Sequence, residues 1–88
     1  MAMTAVKLKI MPSSPESNIE KIQEDAKQKL EKAGSLNISF VTEDIAFGLK
    51  AVIATFAWPE EKDTDLIESI TFEDVSSTQI IDYRRAVG

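Results

Sequence analysis

From Ala5 to Met11 apolar residues alternate with lysines, so Val6, Leu8 and Ile10 share one face and Lys7 and Lys9 the other. Period two of this kind marks a half-buried strand. After the loop "PSSPES" the period lengthens: Ile19, Ile22, Ala26, Leu30 and Ala33 recur at helical spacing while most of the charges fall elsewhere. Ser17 and Glu20 are spaced as a capping box at the start of this helix, and Gly34 is placed to end it. "SLNISFVT" returns to period two, with Leu36, Ile38 and Phe40 against Asn37 and Ser39. The run "LKAVIATFAW" is apolar on both faces, which predicts a central strand stopped by Pro59. An acidic loop then leads to a short helix carrying Leu66, Ile67 and Ile70, with Thr64 or Asp65 as N-cap, and "VSSTQIIDYR" closes the chain as a strand.

The predicted order is therefore β-α-β-β-α-β in a single domain spanning residues 1–88. Two crossovers of this type, each right-handed and each skipping one position, set the first and third strands at the centre of the sheet. The expected class is α+β, a ferredoxin-like sandwich in which a four-stranded antiparallel sheet carries both helices on one face.

Composition narrows the chemistry. The chain has neither cysteine nor histidine, which removes thiolate ligands, the usual zinc ligand and the commonest general base. No metal, cofactor or catalytic constellation is expected. The carboxylates Glu60, Glu61, Asp63 and Asp65 lack the glycine and terminal glutamate of a calcium loop and read as a solvated acidic segment. The only apolar run near the N-terminus alternates with lysines and is too short for a leader or a membrane span, so a cytoplasmic protein without membrane contact is expected.

The net charge of −5 is unevenly placed. Residues 1–58 balance, whereas between 59 and 83 Lys62 stands alone among eight acidic side chains, before Arg84 and Arg85. Such a flank disfavours phosphate-backbone binding and suits docking on a basic protein. An RNA-recognition reading of "AFGLKAVIATF" fails on the same ground. It also fails because Ile45-Ala46 stand where that motif requires a basic residue and glycine, and because the first strand offers no aromatic partner. By local reasoning alone Phe47 is a core residue at a strand threshold and Gly48 a bulge or a positive-φ turn.

"KIMP" after the first strand, "IAFGLKAV" at the third and "IIDYRR" at the end together resemble the archaeal elongation factor 1-beta family, over nearly everything from Ala5 to Arg85. The resemblance implies the fold derived above. It also implies a guanine-nucleotide exchange factor that promotes GDP release from translation elongation factor 1-alpha, acting by contact rather than as an enzyme, with no cofactor and no direct nucleic-acid partner. A monomer is expected for the isolated protein.

In relatives the aromatic residue of "IAFG" protrudes and contacts the GTP-binding domain, which points to Phe47, carried by Gly48, with Lys50 as a rim charge. In eukaryotic members a lysine near the C-terminus reaches the magnesium and phosphate region of the partner. The resemblance carries that role to Arg85, with Arg84 as its neighbour. Arginine forks its donors where lysine is a point charge, which is a departure from the eukaryotic pattern. Strand alternation would put Arg85 on one face with Ile81 and Tyr83. A second candidate surface is the helix-free face of the third strand, formed by Ala51, Ile53, Thr55 and Ala57 and joined by Ile81 and Tyr83. The rival class is a ferredoxin-like module that binds a small metabolite, which relies on a glycine-bearing loop after the first strand; here that loop is "MPSSPES".

Overall fold

The computed structural model describes residues 3–85. They form β1 (Met3–Pro12), α1 (Ile19–Ala33), β2 (Leu36–Asp44), β3 (Lys50–Pro59), α2 (Asp65–Glu68) and β4 (Val75–Arg85). The four strands make one antiparallel sheet in the order β2-β3-β1-β4, so β1 and β3 are central, as the crossover argument requires. This is the α+β, ferredoxin-like arrangement expected from the alternation of periods.

The sheet's inner face meets α1 and α2. Val6, Leu8 and Ile10 of β1 and Val52, Ala54, Phe56 and Trp58 of β3 pack with Ile22, Ala26 and Leu30 of α1 and Ile67 of α2. Phe56 and Trp58 meet edge to face, with centroids 6.4 Å apart. Truncating Trp58, which is fully buried, to alanine would cost about 3–5 kcal/mol.

A second device holds the acidic loop against this core. The Trp58 indole N–H donates to the Lys62 carbonyl at 3.2 Å, and the Lys62 amine lies 5.5 Å from the centre of the same ring while donating to the Ala33 carbonyl at the end of α1. Thus the lone lysine of the acidic flank is turned inward, onto the negative end of a helix dipole.

Several local expectations are corrected. The N-cap of α1 is Asn18, whose side-chain oxygen accepts from the Lys21 N–H; the Ser17 hydroxyl instead accepts from the Ser14 N–H, so no Ser17–Glu20 capping box forms. Gly34 is the C-cap, at φ 111°. Thr64 precedes α2 without a side-chain cap bond; the Asp63 carboxylate accepts the Asp65 N–H in its place.

Leu36 is exposed rather than buried with Ile38 and Phe40. Between Leu36 and Ser39 the ladder with β3 slips by one residue, at an Asn37 with φ 55°, and the slip carries Leu36 to the face of its partner Ala57. The other edge strand is bulged as well. Lys7 pairs with Asp82 but Leu8 with Ile80, leaving Ile81 as the extra residue, and Ser76 is likewise extra between Val75 and Ser77. Bulges in both outer strands fit the need to protect edges from further pairing.

Candidate functional site

β2 and β3 are joined by residues 45–49. The Ile45 N–H donates to the Leu49 carbonyl at 2.8 Å, and the Leu49 N–H to the Ala46 carbonyl at 3.2 Å, so two residues of one arm face one of the other. At the tip Phe47 has φ 62° and Gly48 φ 76°. Positive φ at both central residues matches the handedness of a tight hairpin turn, in which asparagine or aspartate before glycine is the ordinary choice. Phenylalanine in this region costs about 1–2 kcal/mol. Its ring recovers none of that cost by burial, because Phe47 is 97% exposed.

The local reading of Phe47 as core is therefore overturned, while the positive-φ reading of Gly48 holds. Space is not what demands glycine there, since a Cβ at Gly48 would meet nothing within 4 Å; the backbone angle is. Lys50 follows at the base of the hairpin, exposed and paired in the ladder with Asp44.

The remaining candidates lie elsewhere. Because the bulge at Ile81 shifts the register, Tyr83 pairs with Val6 and so falls on the helix side, whereas Asp82 pairs with Lys7 on the open side. Tyr83 lines an open groove of about 500 Å³ with Ile80, Thr64, Glu68, Asp63 and Lys62. Tyr83 is thus removed from the surface that Ala51, Ile53, Thr55 and Ala57 were expected to share with it, and Ile81 sits half-exposed at the bulge.

Arg84 pairs with Ala5 on the open side, its side chain four-fifths exposed and its Nε 3.2 Å from the Asp82 carboxylate. The backbone of Arg85 pairs with Thr4; its side chain lies outside the described residues. Arg85 keeps the register parity of Tyr83 but not that of Ile81.

These placements separate the candidates into two groups. Antiparallel pairing sets the start of β3 beside the end of β1 and the start of β4, so the 45–49 tip and the arginines occupy opposite ends of the sheet. Ten residues of β3 span about 30 Å between them, along the 41 Å dimension of a body 21 Å and 19 Å across. Phe47, Gly48 and Lys50 form one end; Tyr83, Arg84 and Arg85 form the other.

The open face also differs from the expectation of a flat apolar patch. Ala51 is fully buried and Ile53 is 5% exposed. Ile53 lies in the ladder between Val41 of β2 and Lys9 of β1, two side chains long enough to flank it. The exposed apolar side chains there are Val41 and Leu36, both on edge strand β2. A valine at the polar parity of "NISFVT" is the one sequence signal that could have found the former.

Between α1 and the Glu73–Asp74 turn an acidic groove gathers Glu24, Asp25, Glu73 and Asp74. Among the described residues no group of three or more metal-ligating side chains converges, and no helix is long and apolar enough to cross a membrane.

Residues 5–86 match the EF-1 guanine nucleotide exchange domain. The chain is 38% identical to elongation factor 1-beta of Methanocaldococcus jannaschii, over 93% of this chain and 96% of that protein. It is 37% identical to elongation factor 1-beta of Sulfolobus acidocaldarius over 89% of this chain and 90% of that one. The factor of the same name from Sulfurisphaera tokodaii is 37% identical, over the whole of this chain and 93% of its own length.

Proposed function

Because the chain belongs to the family of EF-1 guanine nucleotide exchange domains, and so is a guanine-nucleotide exchange factor for elongation factor 1-alpha in translation elongation, we propose that it acts through two contacts at the opposite ends of its sheet. The observation that carries this reading is Phe47, a large apolar ring held almost wholly in solvent on a strained turn. A monomer gains nothing from such a residue. A partner with an apolar pocket gains an anchor whose ordering cost is already met by the turn.

In this reading Lys50 is a rim charge beside the anchor, and the arginine end supplies the second contact. Arg84 or Arg85 brings a cation toward the metal and phosphate site of the partner, where it would compete with magnesium for carboxylate and phosphate oxygens. Tyr83 and Ile81 flank that end. No covalent bond changes in such an exchange. A factor that binds the nucleotide-free partner more tightly than the GDP-bound form must weaken GDP binding, and GDP must weaken its own binding by the same factor. The unit that does this is the whole chain, a single domain acting as a monomer in the cytoplasm without a cofactor.

The test is the release of a fluorescent GDP analogue from elongation factor 1-alpha. Wild-type protein should accelerate it, Phe47→Ala should lose at least about tenfold of that acceleration at subsaturating concentration, and thermal unfolding should be unchanged. Loss of the fold in Phe47→Ala would return the ring to a structural role. Arg84→Ala and Arg85→Ala, compared at saturation, identify which arginine enters the metal site.

A further inference from the structure

Resting on the exchange-factor reading, we propose that the open face of the sheet is itself a docking surface, and that Lys7 and Lys9 seat it on a carboxylate-bearing surface of elongation factor 1-alpha. Both helices cover the other face, which leaves this one without a layer. In the middle of the sheet the positions on this side are short: Ala5 on β1 and Ser39 on β2 are exposed, and Thr55 and Ala57 on β3 are half-buried. Lys7 and Lys9, side by side on central strand β1, rise from that low floor. An uncovered face that stays in water is ordinarily shielded by long charged side chains across all its strands; here Arg84, Asp82 and Glu43 stand on the edge strands, and on the two central strands only Lys7 and Lys9 supply them.

The charge on this face runs against that of the molecule. It carries Lys7, Lys9 and Arg84 against Asp82 and Glu43, on a chain of net charge −5. Arg84 engages Asp82, so the nearest carboxylate is already occupied. Neither Lys7 nor Lys9 makes an ion pair among the described residues. Any surface laid on the alanine and threonine floor would desolvate both ammonium groups, a loss that is offset only if the arriving surface brings carboxylates to them.

Two lysines on an acidic protein are too few for a phosphate backbone, since each neutralised phosphate needs its own cation and the rest of the molecule repels the polyanion. A protein surface with two or three acidic groups matches them in number. The face also runs from the hairpin end to Arg84, so a partner engaged at both ends can lie across it without a break.

The experiment titrates fluorescently labelled protein with nucleotide-free elongation factor 1-alpha at low and high salt. Lys7→Glu/Lys9→Glu should weaken binding about tenfold or more and flatten its salt dependence, with thermal unfolding unchanged. Lys7→Thr/Lys9→Thr, which suits a strand, should weaken it in the same direction and guards against misfolding by charge reversal. Lys21→Glu/Lys27→Glu on α1 makes the same change in net charge and should leave binding within about twofold, since exposed charges away from an interface act mainly by screened long-range attraction. Equal weakening by both charge reversals, or none by either, overturns the face as a docking surface. So does loss of binding to a single-stranded RNA oligonucleotide in the lysine variants with partner affinity intact. A wild-type protein that binds the partner but fails to release its GDP would overturn the exchange mechanism and leave the face to be judged by its affinities.

Discussion

At the scale of single residues, Phe47 shows how a functional demand departs from the local rule. Hairpin turns with positive φ at both central positions are best served by asparagine before glycine, and here a bulky aromatic takes that place with its ring in water. Phe47→Asn should therefore stabilise the isolated domain by up to about 1 kcal/mol. For a chain of this size that is a rise in Tm of about 4–8 °C, checked by scanning calorimetry. The same variant should lose exchange activity to the extent that Phe47→Ala does. A variant that gains stability and keeps activity would remove the ring from the interface. Sequence reasoning from the residues alone put Phe47 in the core, because an aromatic next to an apolar strand is ordinarily buried; only the resemblance to the exchange-factor family pointed outward.

Elements follow from the sequence where one short-range interaction decides, and slip where two candidates compete. α1 has its apolar stripe, its C-terminal glycine and both of its ends where the period of 3.6 puts them, yet its cap is Asn18. Ser17 had the better motif, but the preceding turn takes its hydroxyl for the Ser14 N–H. Asn18→Ala should accordingly cost about 1 kcal/mol, while Ser17→Ala, tested by the same urea titration, should cost less because only a loop bond is lost. The edge strands show the stronger version of this effect. Their bulges at Ile81, Ser76 and Asn37 are invisible in the alternation, and each puts the side chains on its two sides out of phase, so that those on one side of it take the opposite face. That is why Leu36 and Tyr83 changed sides while Val6, Leu8 and Ile10 on central β1 did not.

Over the whole molecule the decisive fact is distance. The hairpin tip and the arginine end lie about 30 Å apart along the sheet, joined by central strands that share the core. Contacts so far apart on a rigid body should act independently. In a double-mutant cycle, the losses in binding free energy from Phe47→Ala and Arg84→Ala should add to within about 0.5 kcal/mol. A coupling well beyond that would mean that the partner closes around one end only after the other is seated. The acidic flank takes its place at this scale too. Lys62, the one cation between residues 59 and 83, is turned from it onto the Ala33 carbonyl at the end of α1.

The sequence alone determined the order of elements, the inward faces of β1, α1 and β3, and the absence of thiol and imidazole chemistry. Those features depend on periodicity and residue type, which short-range sterics and apolar burial translate directly into structure. Tertiary structure decided which end of the sheet each candidate occupies, which face Tyr83 and Leu36 take, and whether Ala51 and Ile53 are open to a partner. Strand pairing across dozens of residues fixes register and spacing, and a one-residue bulge inverts a face while leaving the hydrophobic pattern unchanged.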